Sequence, residues 1–268
     1  MQSVNSNKIF GKYLNLLGIT LSKPCLEDLN KIVFAHMTII PFENLSKLYY
    51  FKTLGQKGIP ELSIYLDGIK RYHFGGTCYS NNYNLNQLLR FLGYDVTFCG
   101  ADMNKPDVHI ANLVKIEGKE FIVDAGYAAP FLMPLPRFLD IDFKIPFGKD
   151  EYVLSPMDNS GCSQMSFFME GVKKHGYLLK PAPRAIDYFH EAINNSYHDG
   201  GTFMDSILLV RFGDGYSIRL HNYNLIESRK GEIKKKTLAS FDELINTIED
   251  IFKIPEKISR IALEGASL

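Results

Sequence analysis

The chain has 268 residues, 46% of them hydrophobic, enough for a packed core in one compact unit or about two to three small domains. Thirty basic and thirty acidic side chains cancel, so nothing in the charge balance calls for nucleic acid or a membrane surface as a partner. No apolar run reaches membrane-spanning length, the N-terminus lacks a charged-then-apolar leader layout, and four scattered cysteines without a C-x-x-C pair argue against a disulfide or zinc framework and for a reducing, cytoplasmic setting.

Residues 1–93 read as helical. Ile9, Tyr13, Leu16 and Leu17 recur at helical spacing before Gly18, and Leu26, Leu29, Ile32, Val33 and His36 do so after Pro24. Pro41 in "IPFENL" breaks that second helix. A further helix is expected from Pro60 to about Tyr72, and the next opens at Cys78, with Leu85, Leu88, Leu89 and Leu92 before a stop at Gly93. Residues 94–182 change to short strand-like runs: Val96–Ala101, His109–Ile116, Phe121–Val123, Met165–Met169 and Tyr177–Leu179. These suggest an antiparallel barrel or sandwich, crossed by the prolyl-rich connection "APFLMPLPRF". Residues 183–268 combine a helical stretch near Ala185–Asn195 with strands Ile207–Phe212 and Tyr216–His221, joined by the turn signal "GDG". The one basic run, "RKGEIKKK", reads as a solvated hairpin turn. A closing helix starts at a capping box of Ser240 and Glu243 and sets Leu244, Ile248, Ile251 and Phe252 on one face. The fold class is α+β.

Cys78 follows Gly75, Gly76 and Thr77 at a helix start, where free N–H groups and positive partial charge favour a thiolate. The plainer reading is a small buried residue behind an ordinary loop. A cysteine nucleophile needs a base, and the base needs an orienting group. His109 opens the strand "HIANLVKI", and the next strand, "EFIVDAGY", carries Asp124. If Glu117 and Gly118 form a two-residue loop, Ile116 pairs with Lys119 and Asp124 faces Ala111. His109 and Asp124 then lie on one face as diagonal neighbours. A three-residue loop would put them on opposite faces. Asp124 could also simply end its strand and cap the "AGY" turn. The other histidines read as packing or surface residues: His36 lies on an apolar helix face, and His175, His190, His198 and His221 fall in turns or exposed positions. The spacing of Cys78, His109 and Asp124 matches no standard metal-ligand pattern, so no metal is expected.

Four landmarks stand in one order: "PFENL", "GGTCYSNN", "DVHIANLV" and "FIVDAGY". Together they resemble the arylamine N-acetyltransferase family, from about Phe10 to Leu225. The resemblance implies a catalytic triad of Cys78, His109 and Asp124. It implies an N-terminal helical bundle carrying the cysteine, a central antiparallel β-barrel carrying His and Asp, and a C-terminal α/β lid, on a cysteine-protease-like core. It also implies aromatic substrate-binding residues at Phe42, Tyr127 and Phe203. The implied reaction is ping-pong acetyl transfer from acetyl-CoA, a co-substrate, to an arylamine, hydrazine or N-hydroxyarylamine through an acetyl-Cys78 intermediate, as in xenobiotic metabolism. The residues that hold CoA are not indicated.

This chain departs from the family pattern in places. The family's Arg before the two glycines is Phe74 here, so Glu43 of "PFENL" lacks its expected partner. Ser80 stands where an acidic residue is usual, and "HDGG" replaces a Ser/Thr/Pro-bearing segment. Three other readings share these residues: an amide synthase that releases a polyketide chain with the same triad, a transglutaminase-like or papain-like hydrolase, and a degenerate binding protein that keeps the fold.

Overall fold

The computed structural model describes residues 2–20, 23–198, 200–201, 203–229 and 231–265. The N-terminal helices are α1 (Gln2–Leu17), α2 (Leu26–Ile39), α3 (Leu45–Leu54), α4 (Leu62–Tyr72) and α5 (Cys78–Phe91). All but α3 follow the apolar spacing of the sequence. Cys25 starts α2 by accepting the Asp28 N–H on sulfur at 3.4 Å. Helix α5 lies at the centre: Leu85, Leu88 and Leu89 have no exposed surface. Burying each contributes about 1.5–3 kcal/mol. The same core takes in Val96, Val114 and Val123 from the next segment and Val210 and Phe212 from the last.

Thirteen strands are described. The first, β1 (Phe42–Glu43), comes from the helical segment. Then follow β2 (Asp95–Asp102), β3 (His109–Ile116), β4 (Lys119–Val123), β5 (Leu135–Pro136), β6 (Phe143–Phe147), β7 (Asp150–Leu154), β8 (Ser163–Met169) and β9 (Val172–Arg184). These eight form one antiparallel sheet in the order β5-β4-β3-β2-β9-β8-β7-β6. The sheet curls, but its edge strands β5 and β6 are not hydrogen-bonded to each other, so a half-barrel stands where a barrel is expected. Both edges carry proline (Pro136 and Pro146), which has no N–H to extend a ladder.

The β3–β4 hairpin has the two-residue loop: Ile116 pairs with Lys119, and the ladder runs on to Asn112 opposite Val123. Glu117 and Gly118 have φ of 50° and 77°, the left-handed pair that a type I′ turn requires.

The last segment opens with a 3-10 turn (Ile186–Phe189) and α6 (His190–Asn195), where one continuous helix is expected. Strands β10 (Leu208–Gly213), β11 (Tyr216–His221), β12 (Asn224–Arg229) and β13 (Glu232–Thr237) follow. They make an antiparallel sheet in the order β1-β10-β11-β12-β13, so Phe42 and Glu43 are an edge of the C-terminal sheet. The basic run spans the β12–β13 hairpin, and its Lys230 lies outside the described residues. Strand β13 is exposed at every position. Helix α7 (Phe241–Thr247) starts where the capping box predicts: Ser240 accepts the Glu243 N–H, and Glu243 accepts the Ala239 N–H. A π-turn (Ile248–Phe252) and α8 (Glu256–Leu263) complete a second core with Leu209, Leu220 and Leu244.

A β-carbon added at Gly75 would stand 1.9 Å from the Pro41 carbonyl oxygen, whereas at Gly11, inside α1, it would meet nothing within 4 Å. Gly75→Ala is therefore expected to cost about 3 kcal/mol or more, and Gly11→Ala to stabilise by about 0.5–1 kcal/mol, both read from urea denaturation.

Candidate active site

The turn before Cys78 is held from below by "PFENL". Glu43 is fully buried; its carboxylate accepts the N–H of Gly75 and of Ser46, each at 2.9 Å. The Glu43 N–H donates to the Gly76 carbonyl at 3.1 Å. Burial pushes the Glu43 carboxyl up, against hydrogen bonds from Ser46, Gly75 and Leu45. Backbone donors thus satisfy the Glu43 oxygens without a cation beside them. Phe74 turns instead into a ring cluster with Tyr49, Tyr50 and Tyr72, with centroids 5.4–5.7 Å away. Asn44 pins the chain on the other side: its Nδ2 donates to the Phe203 and Ser206 carbonyls, and its Oδ1 accepts the Leu208 N–H.

Helix α5 then begins at Cys78. Its first turn has no acidic residue, and Thr77 supplies no side-chain cap, so the N–H groups there keep their partial positive charge. The backbone of Gly126 packs directly on Cys78: a β-carbon there would be 2.4 Å from the Cys78 Cα.

His109 and Asp124 meet in the interior. Nε2 of His109 lies 2.8 Å from Oδ2 of Asp124, with side chains 3% and 0% exposed. The sulfur of Cys78 acts on the imidazole both by hydrogen bond and by charge. Burial disfavours the imidazolium, but the Asp124 carboxylate and the Cys78 sulfur overcome it, and the His109 pKa is raised. Burial likewise opposes the Asp124 charge, yet His109, Asn82 and the Gly126 N–H hold its pKa below the ordinary value.

Asn82 gave no sign of a role in the motif spacing. Its Nδ2 donates to Oδ1 of Asp124 at 2.9 Å and to the Ile110 carbonyl at 2.7 Å, while its Oδ1 accepts the Ala125 N–H at 2.8 Å. The signal available was composition: Asn81, Asn82, Asn84 and Asn86 crowd one helix, where asparagine is a poor former unless its side chain is used. All four are buried.

Tyr127 stands edge-on to His109 with centroids 5.8 Å apart. Phe42 and Phe203 meet each other in a T-shape at 5.6 Å, and Phe203 has the left-handed φ of 65°. A bulky residue in that region is uncommon and held by its surroundings. His175, read from sequence as a surface residue, is exposed but bonds through Nδ1 to the Tyr127 hydroxyl at 2.7 Å. Lys47 is a further residue that spacing did not indicate. With Thr77, Tyr79 and Ser80 it lines a small cleft beside the helix start. Its ammonium donates to the Ser196 carbonyl at 2.5 Å and lies 4.5 Å over the Tyr197 ring. Burial pushes its pKa down to about 8, and negative charge on Cys78 acts in the opposite sense. Among the described residues, no group of three or more His, Cys, Asp or Glu side chains is placed to hold a metal ion.

A thiol at a helix start, with an imidazole braced by a buried carboxylate, is the arrangement of a cysteine acyl-transfer site. The N-acetyltransferase family model matches residues 25–261. The chain belongs to the arylamine N-acetyltransferase family. It is 36% identical over 128 residues to the pineal gland isozyme NAT-10 of Gallus gallus, covering 45% of this chain and 42% of that protein. With isozyme NAT-3 of the same organism it is 29% identical over 181 residues, or 63% and 59% of the two lengths. The chain thus matches about half the length of these relatives. It is also 33% identical over 119 residues, 41% of this chain and 45% of the other, to proansamycin X synthase of Amycolatopsis mediterranei. Solved structures share the fold: the arylamine N-acetyltransferase of Nocardia farcinica (TM-score 0.79, 23% identity, 96% of this chain and 94% of the other) and that of Mycobacterium marinum in complex with CoA (TM-score 0.80, 20% identity, 97% and 100%).

Two outcomes are expected. Asn82→Ala removes one of the two donors to Oδ1 of Asp124, leaving the Gly126 N–H, and strands the Ala125 N–H, and should cost about 1–3 kcal/mol in denaturant unfolding. The ion pair carries a pH signature. The contribution of Asp124, whose pKa is lowered, is complete above the unfolded carboxyl value near 3.9 and is lost as pH falls through its folded value. That of His109, whose pKa is raised, is complete below the unfolded value near 6.5 and is lost as pH rises through its folded value. The destabilisation by His109→Gln should therefore be largest between about pH 4 and 6.5 and shrink on either side, as read from urea midpoints.

Proposed function

We propose that the protein transfers an acetyl group from acetyl-CoA to the nitrogen of an arylamine, hydrazine or N-hydroxyarylamine, with Cys78 as the acyl carrier. The observation that carries this reading is the buried His109 ring, shared between the Asp124 carboxylate and the Cys78 sulfur at the start of α5.

His109 holds the thiol proton, leaving Cys78 as thiolate, and Asp124 fixes the tautomer and stabilises the imidazolium. The thiolate attacks the thioester carbonyl. The oxyanion forms beside the backbone N–H groups of the α5 first turn. As it collapses, the C–S bond to CoA breaks and His109 returns the proton to the departing CoA sulfur. The amine nitrogen then attacks acetyl-Cys78, His109 takes its proton, and the Cys78 sulfur leaves. Phe42, Tyr127 and Phe203 wall the acceptor and keep water from the acyl cysteine. The half-barrel and the helix start together act as a cysteine-protease-like core, and the C-terminal sheet, tied to the nucleophile's turn through β1, serves as the lid. The setting is the cytoplasm.

A second reading keeps the triad and changes the substrate: amide formation that releases a polyketide chain. The similarity to proansamycin X synthase favours it.

The experiment mixes enzyme and acetyl-CoA without an acceptor and measures intact mass. One acetyl group on Cys78, discharged by an added arylamine, is expected, with parallel lines in double-reciprocal kinetics. Cys78→Ala should take up none and lose roughly 10³–10⁴-fold or more in turnover. A protein that stays unmodified under these conditions would refute the scheme.

A further inference from the structure

Two consecutive asparagines are buried in the first turns of α5. The second, Asn82, holds the Asp124 carboxylate. The first, Asn81, is 1% exposed and has a different set of partners. Its Nδ2 lies 3.0 Å from the Gly76 carbonyl oxygen, 3.3 Å from that of Ala125 and 3.4 Å from that of Pro41. Its Oδ1 accepts the hydroxyl of Tyr65, from α4, at 3.0 Å. An amide carries its two donors on nitrogen and none on oxygen. Turned the other way, the amide would set an oxygen against three carbonyl oxygens, so its surroundings fix one orientation.

These partners stand on both sides of the chemistry. Gly76 belongs to the turn that leads into Cys78, and its carbonyl is held from the interior by Asn81 and by the Glu43 N–H. A β-carbon at Gly76 would stand 3.1 Å from Oδ1 of Asn81 and 2.6 Å from the Ser80 Cβ, so the close approach needs glycine. Ala125 joins Asp124 to Gly126. Its N–H goes to Asn82 and its carbonyl to Asn81, so both backbone groups of this one residue are tied to α5. Docking of the helix has other supports: Leu85, Leu88 and Leu89 are fully buried, and Asn82 and Asn86 bond to Ile110 and Asn112 of β3. What Asn81 adds is a bond from the turn of the thiol to the strand end of the carboxylate.

We propose that Asn81 is a positioning residue for acyl transfer at Cys78: by drawing the Gly76 and Ala125 carbonyls onto one amide nitrogen it sets the gap between the Cys78 sulfur and the His109–Asp124 pair, and Tyr65 acts through it by fixing the direction of that amide. This rests on the acetyl-transfer reading above. A reacting group displaced by about 1 Å loses on the order of 100-fold in rate. Asn81 and Tyr65 are both buried behind the turn, away from thioester and acceptor, so their loss falls on the chemical step and leaves substrate binding alone.

The test uses three variants. Asn81→Ala removes every contact of the amide, Asn81→Asp keeps its size and the acceptor for Tyr65 but has no N–H to give, and Tyr65→Phe keeps the ring in the core and removes one hydroxyl. Single-turnover acetylation of Cys78 is followed by intact mass across a range of acetyl-CoA concentrations, with the folded fraction of each variant taken from urea denaturation. The maximal rate should fall about 100-fold in Asn81→Ala and Asn81→Asp and about tenfold in Tyr65→Phe, with the half-saturating concentration unchanged. Because Tyr65 acts through Asn81, the double variant Tyr65→Phe/Asn81→Ala should be no slower than Asn81→Ala, whereas two separate structural losses would multiply. Maximal rates within about twofold of wild type, a defect confined to the half-saturating concentration, or losses that multiply overturn the assignment. Should the Asn81 variants fail to fold, the rate of Tyr65→Phe decides by the same limits. Alkylation of Cys78 by iodoacetamide needs no acyl donor. It should slow about tenfold or more in Asn81→Ala and in Asn81→Asp, because the sulfur no longer sits where His109 takes its proton, and unchanged alkylation overturns the assignment. A wild type that is alkylated at Cys78 but never acetylated would bring down the acetyl-transfer reading alone, and the alkylation rates would then decide the role of Asn81.

Discussion

An imidazole and a carboxylate buried side by side must find a partner for every lone pair they bring inside, and that demand shapes the junction between helix and sheet. Asp124 commits one oxygen to His109 and the other to Asn82 and the Gly126 N–H. Asn82 belongs to α5, so satisfying the carboxylate docks the helix onto β3 and β4. The docking sets the Cys78 end of the helix against Gly126, where its sulfur acts on the His109 imidazole. It also explains a bare Gly126, since the helix start occupies the space of a side chain there. The polar chain continues along the same interface: Asn112 donates to the Asn82 carbonyl, and Asn86 donates to Asn112.

"PFENL" is the second brace, and each letter has a physical task. The Pro41 carbonyl closes on Gly75, Phe42 joins the C-terminal sheet, Glu43 gathers the N–H groups of Gly75 and Ser46, Asn44 holds the 203–208 segment, and Leu45 enters the second core. A buried carboxyl with a raised pKa and backbone donors around it needs no cationic partner. Position 74 is thereby released from pairing duty and takes an aromatic that packs among tyrosines.

What was legible in the sequence was local. The Glu117-Gly118 turn, the capping box at Ser240 and the helix opening at Cys78 are each set by residues within a few positions of one another, and the His109–Asp124 geometry follows from one turn by counting. Strands β7, β12 and β13 and helix α3 depend on distant partners or mix polar with apolar positions, whereas β6 alternates and α8 carries a one-sided apolar pattern in stretches too short to stand out. The closed barrel was a reasonable expectation from strand-like runs; the prolines at both sheet edges could have argued against it. Asn82 was invisible to motif spacing because its position in the site is set by another chain segment, the one that carries Asp124. The same applies to His175, whose strand exposes it while its ring reaches Tyr127.

The outermost strand of the C-terminal sheet leaves one row of backbone donors and acceptors without a neighbour. Such a rim is an invitation for another chain to add itself and seed aggregates. Here the rim strand reads Glu-Ile-Lys-Lys-Lys-Thr, every residue in solvent, with three consecutive ammonium groups along it. Two copies brought rim to rim would set those charges against one another. The chain's only basic cluster thus acts as a guard on solubility, and a nucleic-acid partner is not needed to account for it.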